Sequence, residues 1–211
     1  GSAVLNLSIG GLNPLAVKYY LKLGAKIIWM PTLHARNQIE YFGRDPFANH
    51  PGIRLLDENG DLKPEVLEIL DLIKEYDATV ATGHISIGES IAVCNAARER
   101  GVRTVLTHPD WTCTTVPADV QTQLVKKGVI LEKLWFDIGI NHVTAEYMAQ
   151  TIRDAGVENC FMATDRGQSG KEYPVEGLMM FMDAMLDCGF SVEEIHIMTH
   201  ENPERVLGLR P

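Results

Sequence analysis

Apolar, β-rich runs alternate with amphipathic stretches along almost the whole chain, and this rhythm limits the fold more than any other feature. Residues 3–9, 25–30, 78–82, 102–107, 129–138 and 160–163 read as strands. Residues 14–23, 64–76, 88–100, 118–127, 144–155 and 175–186 read as helices, and two short helices follow. In the second helix Val66, Leu67, Ile69, Leu70, Leu72 and Ile73 recur at helical spacing. Asn13 precedes Pro14, and Asn202 precedes Pro203, so both asparagines are expected N-caps with proline in the first turn. Strands that are apolar almost without interruption are covered on both faces, as in parallel sheets. Repeated β/α units therefore predict an α/β fold, either a β/α barrel or a doubly wound sheet.

Length sharpens the expectation. A full eight-stranded barrel takes about 250 residues, whereas this chain has 211. Six units in that length predict that the first one or two are missing upstream. The chain also enters its first strand directly after Gly1-Ser2. That pair reads either as a cloning scar or as natural sequence that starts part-way through a domain. Composition shows no break, so residues 1–211 are read as one domain. A polar, turn-rich segment at about 34–61 interrupts the rhythm as an insertion, the kind of segment that often carries function.

Charge narrows the partners. Lys plus Arg number 19 and Asp plus Glu 28, a formal net charge of -9. Such a chain repels phosphate backbones and offers no basic patch to an anionic membrane. The expected partner is a small-molecule substrate, with neither nucleic acid nor membrane. No apolar run approaches the roughly 18 residues of a spanning helix. Cys94, Cys113, Cys160 and Cys188 are widely spaced and form no CxxC pair, which suits reduced thiols and a cytoplasmic location.

In parallel β/α folds chemistry gathers at the carboxyl ends of the strands. The residues after successive apolar runs are Thr32 and His34, then His84, then His108, Asp110 and Trp111, then Asp137, then Asp165 and Arg166. His84, His108 and Asp165 thus share one rim. Imidazole and carboxylate together suit a divalent metal, and a metal with an open position activates water. An unligated oxygen of Asp165 would take the proton from that water. Around this cluster, His34 is a candidate pocket residue or loop anchor, and Trp111 a candidate apolar wall. Asp137 would bind substrate or support a histidine from behind, and Arg166 would hold an anionic group or pair with an acidic neighbour. His142 is a weaker rim candidate. Met179, Met180, Met182 and Met185 read as core packing.

The order of these residues resembles the amidohydrolase superfamily of metal-dependent hydrolases, and most closely an uncharacterised amidohydrolase-like branch. The segments that carry the resemblance are Gly10-Gly11-Leu12-Asn13-Pro14, Trp29-Met30-Pro31-Thr32, Ala81-Thr82-Gly83-His84, Val105-Leu106-Thr107-His108-Pro109 and the closing stretch from Glu201 to Leu209. The resemblance implies a (β/α)8 TIM-type barrel whose third to eighth strands are present here. It further implies that His84 and His108 match the fifth- and sixth-strand histidines and Asp165 the eighth-strand aspartate. All three are then metal residues, with Asp165 also catalytic, and His34, Trp111, Asp137 and Arg166 are substrate-binding. The implied cofactor is a divalent metal, zinc first, with manganese or iron as alternatives. Two departures stand out. The chain has no HxH pair, and Thr32 and His34 stand where the family carries a lysine or glutamate.

Three functions remain. The first is hydrolysis of an amide, ester, lactone or similar bond by a metal-activated water. The second is decarboxylation or lyase chemistry on the same barrel. The third is a non-catalytic binding module, for which the missing HxH pair is the main support. The open strand edges of an incomplete barrel favour association, so a homo-oligomer is a natural outcome.

Overall fold

The structure is a computed structural model that describes residues 1–43, 50–139 and 143–209. Six parallel strands form one sheet in sequence order: β1 (Ser2–Val4), β2 (Ile27–Trp29), β3 (Thr79–Ala81), β4 (Arg103–Leu106), β5 (Val129–Leu134) and β6 (Cys160–Ala163). Each strand pairs with the next in parallel register, for example Ile28 with Val80 and Val105 with Ile130. Among the described residues β6 does not pair back to β1, so the sheet is a partial barrel.

The connecting helices are α1 (Pro14–Lys22), α2 (Arg36–Phe42), α3 (Pro64–Glu75), α4 (Ile87–Glu99), α5 (Ala118–Lys126), α6 (Ala145–Ala155), α7 (Pro174–Asp187), α8 (Val192–His196) and α9 (Asn202–Val206). Their starts follow local chemistry. Asn13 accepts from the backbone of Leu15 and Ala16, with Pro14 next. Ser86 and Glu89 close a capping box on α4, satisfying orphan donors at both ends of that turn.

The sheet buries its outer face in two clusters. Leu5, Ile28 and Val80 pack with Val17, Ile69 and Ile73 in the first half. Leu106 and Leu131 pack with Leu124, Ile152, Phe181 and Met185 in the second. A third cluster lies inside the curve of the sheet, where Ala81, Val105, Ile130 and Phe161 are closed from below by Val206 of α9.

Several expectations shift on contact with the structure. The first strand ends at Val4, because Asn6 turns its amide to the β2 exit and a 3₁₀ turn at Leu7–Ile9 follows. The fifth strand stops at Leu134 and continues as a 3₁₀ turn, Trp135–Asp137. Asn202 is not an N-cap. Helical backbone runs from α8 through a π-helical turn at Ile197–Glu201 into α9. The Asn202 amide instead donates to the Val157 and Cys160 carbonyls, tying the last helix to β6. The methionine stripe is only partly core. Met185 is buried, but Met179 and Met180 are exposed. Among the described residues no helix is long and apolar enough to cross a membrane.

Candidate active site

At the carboxyl rim of β2 to β6 lies a cavity of about 350 Å³, lined by Trp29, Thr32, Leu33, His84, Thr107, His108, Glu132, Leu134, Ala163 and Asp165. The turns that present these groups are built tightly. Gly83 adopts φ +63°, and a Cβ there would collide with the Met30 and Pro31 carbonyl oxygens. Only glycine fits that approach, and it lets the His84 N–H donate to the Pro31 carbonyl at 2.9 Å. Asn6 clamps the β2 exit, accepting from the backbone N–H of Thr32 and His34 and donating to the Thr32 hydroxyl.

His108 and Asp165 both have positive φ, +47° and +46°. Non-glycine residues in the left-handed region carry strain, and such residues gather at functional sites. Each strained turn is held by its surroundings. The Thr114 hydroxyl donates to the His108 carbonyl at 2.6 Å, and the Gln168 amide donates to the Asp165 carbonyl at 2.8 Å.

His108 lies between two carboxylates. Its Nδ1 is 3.0 Å from Asp137 Oδ1, and its Nε2 is 3.5 Å from Asp165 Oδ2. Burial alone would lower its pKa, but the hydrogen bonds to Asp137 and Asp165 outweigh burial and push it up to about 10. The imidazole of the metal-free site therefore holds both protons. His84 behaves oppositely. Burial, with help from the positive His108, lowers it to about 3. It is neutral, and its Nδ1 meets the Gln38 amide oxygen of α2. With Nδ1 protonated by that pairing, Nε2 keeps its lone pair. The two imidazoles sit edge to face, centroids 5.2 Å apart, and Trp111 stands 5.1 Å from His84 and 5.2 Å from His108.

The donor set fits a divalent metal in part. Two ligands about 2.1 Å from one tetrahedral ion stand about 3.4 Å apart, close to the 3.5 Å between His108 Nε2 and Asp165 Oδ2. Asp137 behind His108 is the carboxylate that orients many ligating histidines. These two donors fit. Among the described residues, however, no group of three His, Cys, Asp or Glu side chains is gathered closely enough to hold an ion.

Residues 1–132 match the model of a protein family described as "Family of unknown function (DUF6282)". The chain belongs to this family. No curated protein matches it. Among solved structures, this DUF6282 chain is similar to an amidohydrolase from Pseudomonas aeruginosa, with TM-score 0.65 and 14% identity over 92% of this chain and 67% of that one. It is also similar to the phosphotriesterase homology protein from Escherichia coli, complexed with phosphate in its active site, with TM-score 0.57 and 13% identity over 98% of each chain. A third similar structure is 2,6-dihydroxybenzoate decarboxylase from Rhizobium, with TM-score 0.55 and 10% identity over 98% of this chain and 70% of that one. At these identities the likeness is one of fold. The DUF6282 chain has the barrel architecture of the amidohydrolase superfamily, as its sequence order implies.

Of the residues singled out in the sequence, His84, His108 and Asp165 line one cavity, with Trp111 against both rings. Asp137 is buried behind His108 and outside the cavity wall. Its position suits support of the histidine. His34 is buried and lies outside the cavity wall, and its carbonyl accepts from Ile53, so it anchors the insertion. Arg166 is not a free anion holder. Its Nε donates to Glu172 at 2.6 Å, and that bond holds the Glu172 carboxyl down at about 2. His142 lies outside the described residues.

Three groups escaped the sequence reading. Asn6 and Gln38 carry no local motif that points to a site. Glu132 lies inside an apolar run, and a lone acid at an otherwise buried strand position was its only signal.

Proposed function

We propose that this protein is a metal-dependent hydrolase acting on a small molecule bound in the rim cavity. The observation that carries the reading is the pair His108 and Asp165, opposed at 3.5 Å on two left-handed turns. His108 and Asp165 would hold the ion, and His84, its ring centroid 5.2 Å from that of His108, would complete the set only by closing in on it. A divalent ion there, zinc first and manganese or iron as alternatives, would supply Lewis acidity and a water of lowered pKa.

The residues themselves do the rest. Asp137 keeps the Nδ1 proton of His108 in place and turns Nε2 toward the cavity. Gln38 does the same for His84 from α2. The half-exposed carboxylate of Asp165 accepts the proton of the attacking water. Trp111 and Phe136 flank His108 and limit water at its ring. Among the described residues neither Lys nor Arg lines the cavity. A carboxylate substrate thus meets only the His108 imidazolium there, without the two-pronged grip of an arginine, which favours hydrolysis of an amide, ester or lactone over decarboxylation.

The test is a turnover screen of the zinc- or manganese-loaded protein against chromogenic esters, lactones and amides, with aromatic acids assayed in parallel for carbon dioxide. Hydrolysis that chelator abolishes is the expected result. Carbon dioxide release without hydrolysis would replace this reading with the decarboxylase.

A further inference from the structure

Glu132 is the residue of the cavity wall whose chemistry the proposed reaction leaves unused. The alternation of β5 turns Ile130, Glu132 and Leu134 to the inside of the sheet, and Glu132 and Leu134 line the cavity. Glu132 is 6% exposed, and its Oε2 is buried with no hydrogen-bond partner. The imidazoles opposite are already engaged, His84 with Gln38 and His108 with Asp137. A buried carboxyl left unpaired is costly, and native proteins rarely keep one. That oxygen faces the cavity as a hydrogen-bond acceptor with nothing to accept from. Four apolar residues share the wall with it: Trp29, Leu33, Leu134 and Ala163.

We propose that Glu132 is a substrate-binding residue that takes a hydroxyl or amide N–H of a partly apolar small molecule packed against Trp29 and Leu134. The inference rests on reading the cavity as the substrate site, and it needs no metal. It narrows the substrate to a molecule that carries a hydrogen-bond donor beside an apolar body.

The experiment is ligand-observed NMR on the metal-free protein with matched probes. Benzyl alcohol and benzamide carry the donor; benzyl methyl ether and N,N-dimethylbenzamide lack it. Wild type should favour the donor probes by about fivefold to tenfold, the worth of one buried hydrogen bond. Glu132→Gln, which still donates and accepts, should keep most of the preference. Glu132→Leu should lose it while melting no lower than wild type, because Oε2 holds no protein hydrogen-bond partner. Equal binding of both probe types to wild type, no binding of any probe, or a preference that survives in Glu132→Leu would overturn the proposal. So would a melting temperature several degrees lower in Glu132→Leu, which would make Glu132 structural. A protein that shows the donor preference but no metal-dependent turnover would keep this inference and lose the hydrolase.

Discussion

Glu132 and Lys133 are neighbours on β5, both buried, facing opposite sides of the sheet. Lys133 looks outward and is fully enclosed. Its ammonium donates to Asp110 Oδ2 at 2.7 Å, Thr151 Oγ1 at 2.9 Å and Gln121 Oε1 at 3.1 Å. All three of its protons are used. The network joins β5 to α5, α6 and the turn that carries His108 and Trp111. Glu132 looks inward and has an oxygen bonded to nothing. The outer face thus spends its polar groups on the fold, and the inner face leaves one for a ligand. Completeness of pairing, more than burial or charge, separates the two roles.

The contrast can be broken most sharply at Lys133. Lys133→Met would leave Asp110 buried without its counter-charge, so it should cost about 3–5 kcal/mol of stability. Urea unfolding measures it, and a loss under about 0.5 kcal/mol would dissolve the distinction. Asp165→Asn should do the reverse. Asn tolerates left-handed backbone, and the Asp165 side chain is 48% exposed, so stability should stay within about 0.5 kcal/mol. Turnover should fall at least about 100-fold with loss of the proton acceptor. A variant that turns over like wild type would remove Asp165 from the chemistry.

The smallest effect is in pH. In the metal-free protein His108 is raised from 6.5 to about 10, so its contribution is full below about 6.5 and is lost as pH rises through about 10. Glu132 is raised from 4.5 to about 8, and the native state again holds the extra proton, so stability also falls across that window as pH rises. The urea midpoint should therefore drop between about pH 6 and pH 9. Glu132→Gln should flatten the lower part of that fall. A midpoint that rises over the range would contradict both assignments.

The sequence made the β/α order, the cap at Asn13 and the shared rim of His84, His108 and Asp165 legible, because periodicity and strand-end position are local signals. It did not separate the two faces of β5. When both sides of a strand are buried, alternation gives no sign of which side is the cavity. The partners of each rim residue were hidden for a related reason. Gln38 reaches His84 from the insertion, Asn6 reaches Thr32 from the first strand exit, and Glu172 neutralises Arg166 from beyond the next turn. The first two pairings cross long stretches of chain, and all three depend on the tertiary fold. Asn202 misled because its cap signal is local while its amide is used on β6.

The central claim is that His108 and Asp165 form the heart of a divalent-metal site. Calorimetric zinc titration of the protein at about pH 8, with His108→Ala and Asp165→Asn alongside, tests it most directly. The account predicts about one zinc per chain in wild type, proton release as the ion displaces the Nε2 proton of His108, and loss of binding in both variants. Absence of zinc binding by wild type, or binding that both variants retain, would contradict it.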